Sequence, residues 1–425
     1  MKLTHWVWTL RIWARAIWAR IAILSALALV SAGVSSISSG LLPDHLSYEI
    51  TEDAVARLLS ILSNSMLTVT TFSLSVMVAA HHYASSQATP RAHRLLRGDG
   101  RTQTVLATFM GAFVYAIMSI VMLNAGAYSD RDFIIVYFFT ILVIAIVIVA
   151  MVRWIEHLSG LGSMEQTEER VEDVTIEALK LRLSCPCLGG VPLIRRDTIP
   201  DAAAALLAEN HGYVRYVDAV ALNDLAEESN GDIWVIASPG DWVDPGDPLL
   251  RMAIWGITDE QEKKLREAVV IGDARSYDQD PQFGIQVLSE IAQRALSPGI
   301  NDPRTAIAVL LRILRILTPW EDEAIPRPEP DLPRLHVKPM TALDLVFAGF
   351  DFIARDGAQL VEVQMQVQRA LARLARHDSA EMREAARIVS RRALAFSDDA
   401  LLLAEDRARV HAVSPHRSDE AAAPT

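Results

Sequence analysis

Five polar residues flank one apolar, helix-like run: Asp278 and Asp280 precede it, and Asn301, Asp302 and Arg304 follow it. Carboxylate and amide oxygens of this kind suit hard divalent cations, and with an arginine among them they could hold a phosphate. A second set lies in SILSNSMLTVTTFSLSVMVAAHHYASSQ, from Ser60 to Gln87. At 100° per residue, Ser60, Asn64, Thr71, Ser75 and His82 fall within about 60° of one another on a helical wheel. Such a stripe has two uses: small polar residues let membrane helices approach and bond across an interface, or several copies of the helix surround a water-filled ion path. His81 and His82, at the expected cytoplasmic mouth of the second span, could sense pH near neutrality or simply be solvated interfacial histidines. Cys185 and Cys187 are the only cysteines. One residue apart and without further ligands nearby, they make a poor zinc site, and a structural role is expected.

The elements that must position the first set explain much of it. In DPQFGIQVLSEIAQRAL, Asp280 is read as the N-cap of an amphipathic helix with Pro281 in its first position. The device repeats with Asp302 and Pro303, after which Ala306, Val309, Leu310, Ile313 and Leu317 form an apolar stripe. Between the two helices, Ser297, Pro298 and Gly299 are expected to end the first, with the glycine in a left-handed conformation. A helix-turn-helix corner therefore competes with a ligand site at these residues. No phosphate-binding glycine loop, metalloprotease helix or nucleophile elbow is found. The expectation is a non-enzyme without a cofactor, with a small cytoplasmic ligand or ion as the partner this corner could take.

The second set sits among apolar runs long enough to cross a bilayer, for which about 20 helical residues are needed. Four spans are expected, at about 21–42, 58–80, 105–123 and 133–152, making 1–153 a transmembrane domain. Composition agrees: 51% of the 425 residues are hydrophobic and the mean hydropathy is +0.22. Residues 1–153 hold 11 Lys+Arg and 7 Asp+Glu, net +4, leaving 29 and 45, net −16, for the remainder of a chain of formal charge −12. Basic residues mark cytoplasmic loops. Lys2, Arg11, Arg15 and Arg20 precede the first span, and Arg91, Arg94, Arg97 and Arg101 separate the second and third, so both termini are expected inside the cell. Trp6, Trp8, Trp13 and Trp18 interleave with the first arginines, as in a segment resting among headgroups. No span carries a charged residue at its centre, which disfavours a proton-coupled carrier relative to a passive pore or a signalling anchor.

Beyond the spans, 154–183 reads as a connecting helix and 184–257 as a mixed α/β module, with strands at Tyr213–Val217, Ile233–Ala237 and Pro248–Met252 and a helix from Asp218 to Glu228. PGDWVDPGDPLL suits two tight turns, with Gly240 and Gly246 supplying backbone freedom. It is similar to the hairpins of small β barrels that carry lipoyl or biotinyl groups, without their modifiable lysine. Residues 258–411 read as a helical domain interrupted by an exposed, proline-rich linker, Glu321 to Lys338. The tail, 412–425, is expected to be disordered. The fold class is thus membrane α-helical: four transmembrane helices, then a cytoplasmic α+β domain made of a small β-barrel-like module and a helical bundle. An apolar face of that bundle could pair protomers, and the acidic soluble part argues against nucleic acid as a partner.

DPQFGIQVLSEIAQRALSPGINDPRTA, SSQATPR at Ser85 to Arg91 and the PGDWV and GDPLL pieces together resemble the domain-of-unknown-function family 2254, a set of predicted bacterial membrane proteins. The resemblance covers about residues 15 to 400. It implies four spans and a cytoplasmic domain in a bacterial inner membrane, and no activity. Two functions are carried forward. One is an oligomeric ion channel lined by the second span, whose acidic cytoplasmic vestibule would favour cations. The other is a membrane-anchored ligand sensor or protein-recruitment scaffold.

Overall fold

A computed structural model describes residue 26 and residues 51–87, 89–92, 100–125, 133–160, 163–254, 256–323 and 329–416, and divides into two compact units, 1–166 and 167–425. The expected first span, 21–42, and the tryptophan-rich segment before it lie outside the described residues apart from residue 26.

Among the described residues of the first unit three long helices follow one another: α1 (Glu52–Gln87), α2 (Gly100–Asn124) and α3 (Phe133–Gly160). Their stretches Glu52–Ala80, Thr102–Asn124 and Phe133–Leu158 are each long and apolar enough to cross a membrane. All three contribute to one core, which includes Leu59, Leu62 and Met66 of α1, Phe109, Ala112, Tyr115 and Ala116 of α2, and Val136, Val143 and Val147 of α3. The small Ala112 and Ala116 suit the close helix approach that dispersion-driven packing in lipid requires. The Tyr115 hydroxyl meets Thr140 Oγ1 at 3.2 Å across the α2–α3 contact, and Thr140 also donates to the Val136 carbonyl at 2.7 Å.

The second unit carries two sheets and a helical bundle. Helix α4 (Met164–Ser184) leads into β1 (Gly190–Pro192), β2 (Ala204–Leu207), β3 (Gly212–Val217), α5 (Ala219–Glu228), β4 (Ile233–Val235), β5 (Trp242–Val243), β6 (Pro248–Met252), α6 (Asp259–Glu267) and β7 (Val269–Gly272). Helices α7 (Pro281–Leu296) and α8 (Pro303–Leu317), strand β8 (Leu332–Val337), and helices α9 (Ala342–Asp356), α10 (Val361–Leu374), α11 (Ala380–Ala400) and α12 (Ala404–His411) follow. One sheet has the order β1-β8-β4-β6-β2, with β8 parallel to both of its neighbours, and the other is antiparallel with the order β5-β3-β7. A single core joins them, containing Leu206, Val214, Ile233, Leu250, Val269 and Leu335 with Leu222 of α5 and Leu265 of α6. In the bundle, α7 packs on α8 and α9, and α11 packs on α9 and α10.

Several expectations need correction. The expected β module is seen as two sheets around one core, and strands continue past 257, because β7 and β8 come from the segment read as helical. Strand β8 lies inside the expected linker: pairing on both sides, with Leu335 and Val337 fully buried, outweighs the local proline content. The tail is ordered further than expected. Ser414 is buried and bonded to the His411 carbonyl, and His416 Nε2 lies 3.3 Å from the Arg387 carbonyl, while 417–425 fall outside the described residues.

Candidate functional site

The corner is built by its caps, as the Asp-Pro pairs predict. Asp280 accepts from the Phe283 amide at 3.0 Å and opens α7, and Asp302 accepts from the Arg304 and Thr305 amides at 3.1 and 3.2 Å and opens α8. The left-handed residue is Asn301, at φ 51°, and not Gly299. An asparagine tolerates that conformation, and its placement lets the Asp302 amide bond back to the Ala295 carbonyl at 2.7 Å.

These same caps separate the predicted ligands. Asp278 and Asp280 stand before the first turn of α7, whereas Asn301, Asp302 and Arg304 follow its last, and a 16-residue helix is about 24 Å long. The five residues do not converge on one ion. Asp280 is 4% exposed and is gripped by Arg275, whose Nε and Nη2 donate to its two oxygens at 2.7 and 2.9 Å. Burial pushes its carboxyl above the ordinary range, against the pull of the Arg275 charge. Gly240, at φ 98°, lets the backbone come close: a Cβ there would lie 2.5 Å from Asp280 Oδ2. Asp278 is exposed and bonded to Ser276, and Gln279 brackets the backbone of Val217, accepting from its amide and donating to its carbonyl. Arg304 is exposed. Among the described residues no group of three or more His, Cys, Asp or Glu is arranged to hold a metal ion.

What the sequence reading missed is a set of buried charges on α4. Glu168 and Glu172 lie 3.1 Å from Nε and beside Nη1 of Arg312, and Arg182 donates through Nε and Nη2 to both oxygens of Glu323 at 2.9 and 2.6 Å. Glu168, Glu172, Thr175, Leu179 and Arg182 recur at four, three, four and three residues, which was the available signal for one inward face. Gly284, in the DPQFG motif, belongs to the same contact: a Cβ on it would lie 1.9 Å from Thr175 Oγ1. The Cys187 thiol is pushed up to about 12, chiefly by burial and then by Glu323, so it carries little thiolate at neutral pH.

The α1 stripe has a different geometry. Ser60, Asn64, Thr71, Ser75 and His82 are all exposed, while Ser63, Thr70 and Ser73 are buried on the other side of the helix. The hydroxyls are tied to their own helix: Thr71 Oγ1 lies 3.0 Å from the Leu67 carbonyl and 2.9 Å from that of Thr68, and Ser75 donates to the Thr71 carbonyl at 3.0 Å. Thr68, on the same side and not singled out by its sequence, donates to the Asn64 carbonyl at 2.9 Å. The outward surface of Ser60, Asn64, Thr71 and Ser75 is therefore uncharged and rich in acceptor lone pairs.

A family model described as "Predicted membrane protein (DUF2254)" matches residues 14–373. Uncharacterized proteins of Mycobacterium bovis and Mycobacterium tuberculosis are each 28% identical to the chain over 301 residues, covering 68% of it and 57% of the relative. The chain thus spans little more than half the length of these relatives. No solved structure matches.

Proposed function

The chain belongs to the DUF2254 family of predicted membrane proteins, and from that premise we propose that it is an oligomeric ion-conducting protein of the bacterial inner membrane. In this reading α1 helices of several protomers turn Ser60, Asn64, Thr71, Ser75 and His82 toward a water-filled path. The observation that carries it is that all five are exposed on α1 while the apolar side of the helix packs against α2 and α3. Uncharged oxygens along a wall let an ion exchange part of its hydration shell without being trapped. With both termini in the cytoplasm, the acidic second unit forms a vestibule or gate that concentrates cations.

The test is flux from liposomes holding the full chain, with Thr71→Leu and Ser75→Leu as variants. Flux lowered by either substitution in a folded protein supports the reading. Absence of flux under potassium, sodium and chloride gradients, from protein that stays folded and oligomeric, removes it. A second reading is favoured by the buried Arg312–Glu168–Glu172 contact, which builds the helix after α3 into the cytoplasmic unit. There the spans anchor a ligand sensor or recruitment scaffold, and no ion crosses.

A further inference from the structure

The exposed side of α1 carries more order than its polar residues alone. Asp53, Arg57, Ser60, Asn64, Leu67, Thr71, Leu74 and Val78 are all exposed, and they follow one another at intervals of four, three, four, three, four, three and four residues. That is an unbroken heptad seam with Arg57, Asn64, Thr71 and Val78 in one row and Asp53, Ser60, Leu67 and Leu74 in the other. Leu67, Leu74 and Val78 are 47%, 48% and 58% exposed, large apolar groups with the contact to fill such a seam. The residues that α1 buries, Val55, Leu59, Leu62, Ser63, Met66, Thr70 and Ser73, occupy only the remaining sides of the heptad. Among the described residues the helix thus has two faces, one used within the unit and one with coiled-coil spacing left exposed.

We infer that the seam is covered by α1 of a second copy of this chain, packed in parallel and in register. Copies of one chain enter the bilayer in the same direction, so identical rows meet at identical depths. Asn64 fits this occupant. Its side-chain amide has both a donor and an acceptor, makes no hydrogen bond among the described residues, and stands 12 residues into the Glu52–Ala80 stretch. Two such amides facing across an axis satisfy each other, which lipid does not do, and an asparagine in the row it shares with Arg57, Thr71 and Val78 fixes register. At the helix end, Asp53 and Arg57 are 84% and 80% exposed and pair only loosely within the helix, at 3.8 Å. In a parallel seam each row meets itself, so the like charges of two Arg57 and of two Asp53 are offset by the diagonal approach of the Asp53 carboxylate of one copy to Arg57 of the other, at a helix end where both side chains are exposed. Thr68, Ser75 and His82 flank the seam and not its centre.

This inference names the partner in the oligomer of the proposed function, yet it is tested separately. In full-length protein carrying Cys185→Ser, with Cys187 left in the core, cysteines are placed singly by Asn64→Cys, Thr71→Cys, Val78→Cys and Phe72→Cys. Oxidation in proteoliposomes is expected to join protomers several-fold more at the first three positions than at Phe72, which is 65% exposed but off the seam. In an otherwise cysteine-intact chain, Asn64→Leu lowers the oligomeric fraction and Asn64→Gln keeps more of it. Cross-linking at Phe72 equal to that at Asn64, or cross-links only within one chain to a cysteine placed in 21–42, overturns the seam. Seam cross-links in a particle of two protomers that passes no ions uphold the inference and remove the ion path, because two helices enclose no lumen. Flux without seam cross-links does the reverse.

Discussion

Asp280 and Asp302 occupy the same place in the same local sequence, an N-cap followed by proline, and their surroundings give them opposite titration. For Asp302 the hydrogen bond from the Thr305 hydroxyl is the largest influence and holds the carboxyl below its ordinary value of 3.8. A group depressed in the folded state contributes stability above its unfolded pKa and loses it as pH falls through the folded value. The unfolding midpoint of the full chain should therefore drop below about pH 4. Asp302→Asn should flatten that drop, and Asp302→Ala should cost about 1 kcal/mol at neutral pH. Asp280 has the other sign, since burial raises its carboxyl and ionisation on raising the pH withdraws stability, offset by Arg275. An acid limb unchanged in Asp302→Asn would remove this assignment. Gly284 gives a steric counterpart: Gly284→Ala drives a Cβ into Thr175 and should cost about 1–3 kcal/mol, measured by denaturant unfolding. Thr175→Gly in the same chain should return much of that loss, and a double variant no better than the single one would show that the contact is not the reason for the glycine.

At the scale of elements, α4 is held by charge as much as by apolar contact. Glu168 and Glu172 are 4% and 3% exposed, so their attraction to Arg312 must offset the cost of taking three ions out of water. Arg312→Met removes from the interior the cation that Glu168 and Glu172 share and should cost roughly 3–5 kcal/mol of folding stability. Replacing all three by Arg312→Met, Glu168→Leu and Glu172→Leu should recover most of it. A triple variant as unstable as Arg312→Met would mean that the cluster is net stabilising rather than merely costly to break. Arg315 adds little to this balance, because it approaches Glu172 at 3.2 Å but is 65% exposed. The elements legible in the sequence were those with local signals. Helices α7, α8, α9 and α11 begin at the side-chain caps Asp280, Asp302, Thr341 and Ser379, and α1, α2 and α3 follow from unbroken apolar length. Strand β2 was hidden because Ala204–Leu207 consists of good helix formers, and only its pairing with β6 makes it a strand. Strand β8 depends on β1 and β4, which are remote in the chain, and neither pairing leaves a local trace. The candidate site divided in the same way. The Asp-Pro caps could be read residue by residue, whereas their separation by the whole length of α7 belongs to the assembled helix, and the inward charges of α4 are defined by partners on α8 and beside β1.

For the molecule as a whole, the division at 166/167 makes a prediction about where assembly resides. The second unit contains a core between its two sheets and a separate packed bundle. Its most buried ion pairs, Arg182–Glu323, Arg312–Glu172 and Arg275–Asp280, all close within the unit. Residues 154–425 carry the net −16, which favours solubility. A chain of residues 163–425 retains all of α4 and the Ser163 hydroxyl that accepts from the Gln166 amide at its start. Expressed without the preceding residues, it should be soluble, unfold cooperatively on heating and show the helix and strand content described above by circular dichroism. Aggregation, or a broad non-cooperative melt, would mean that the first unit completes its core. Light scattering then separates two routes to an oligomer. A monomeric soluble unit beside an oligomeric full chain leaves assembly to the membrane helices, where α1 has an exposed seam. A soluble unit that assembles alone would move the contact to its own surface, where Phe347 and Phe352 of α9 are 36% and 39% exposed beside Ile388 of α11 at 36%, and the α1 seam would no longer be required to hold protomers together.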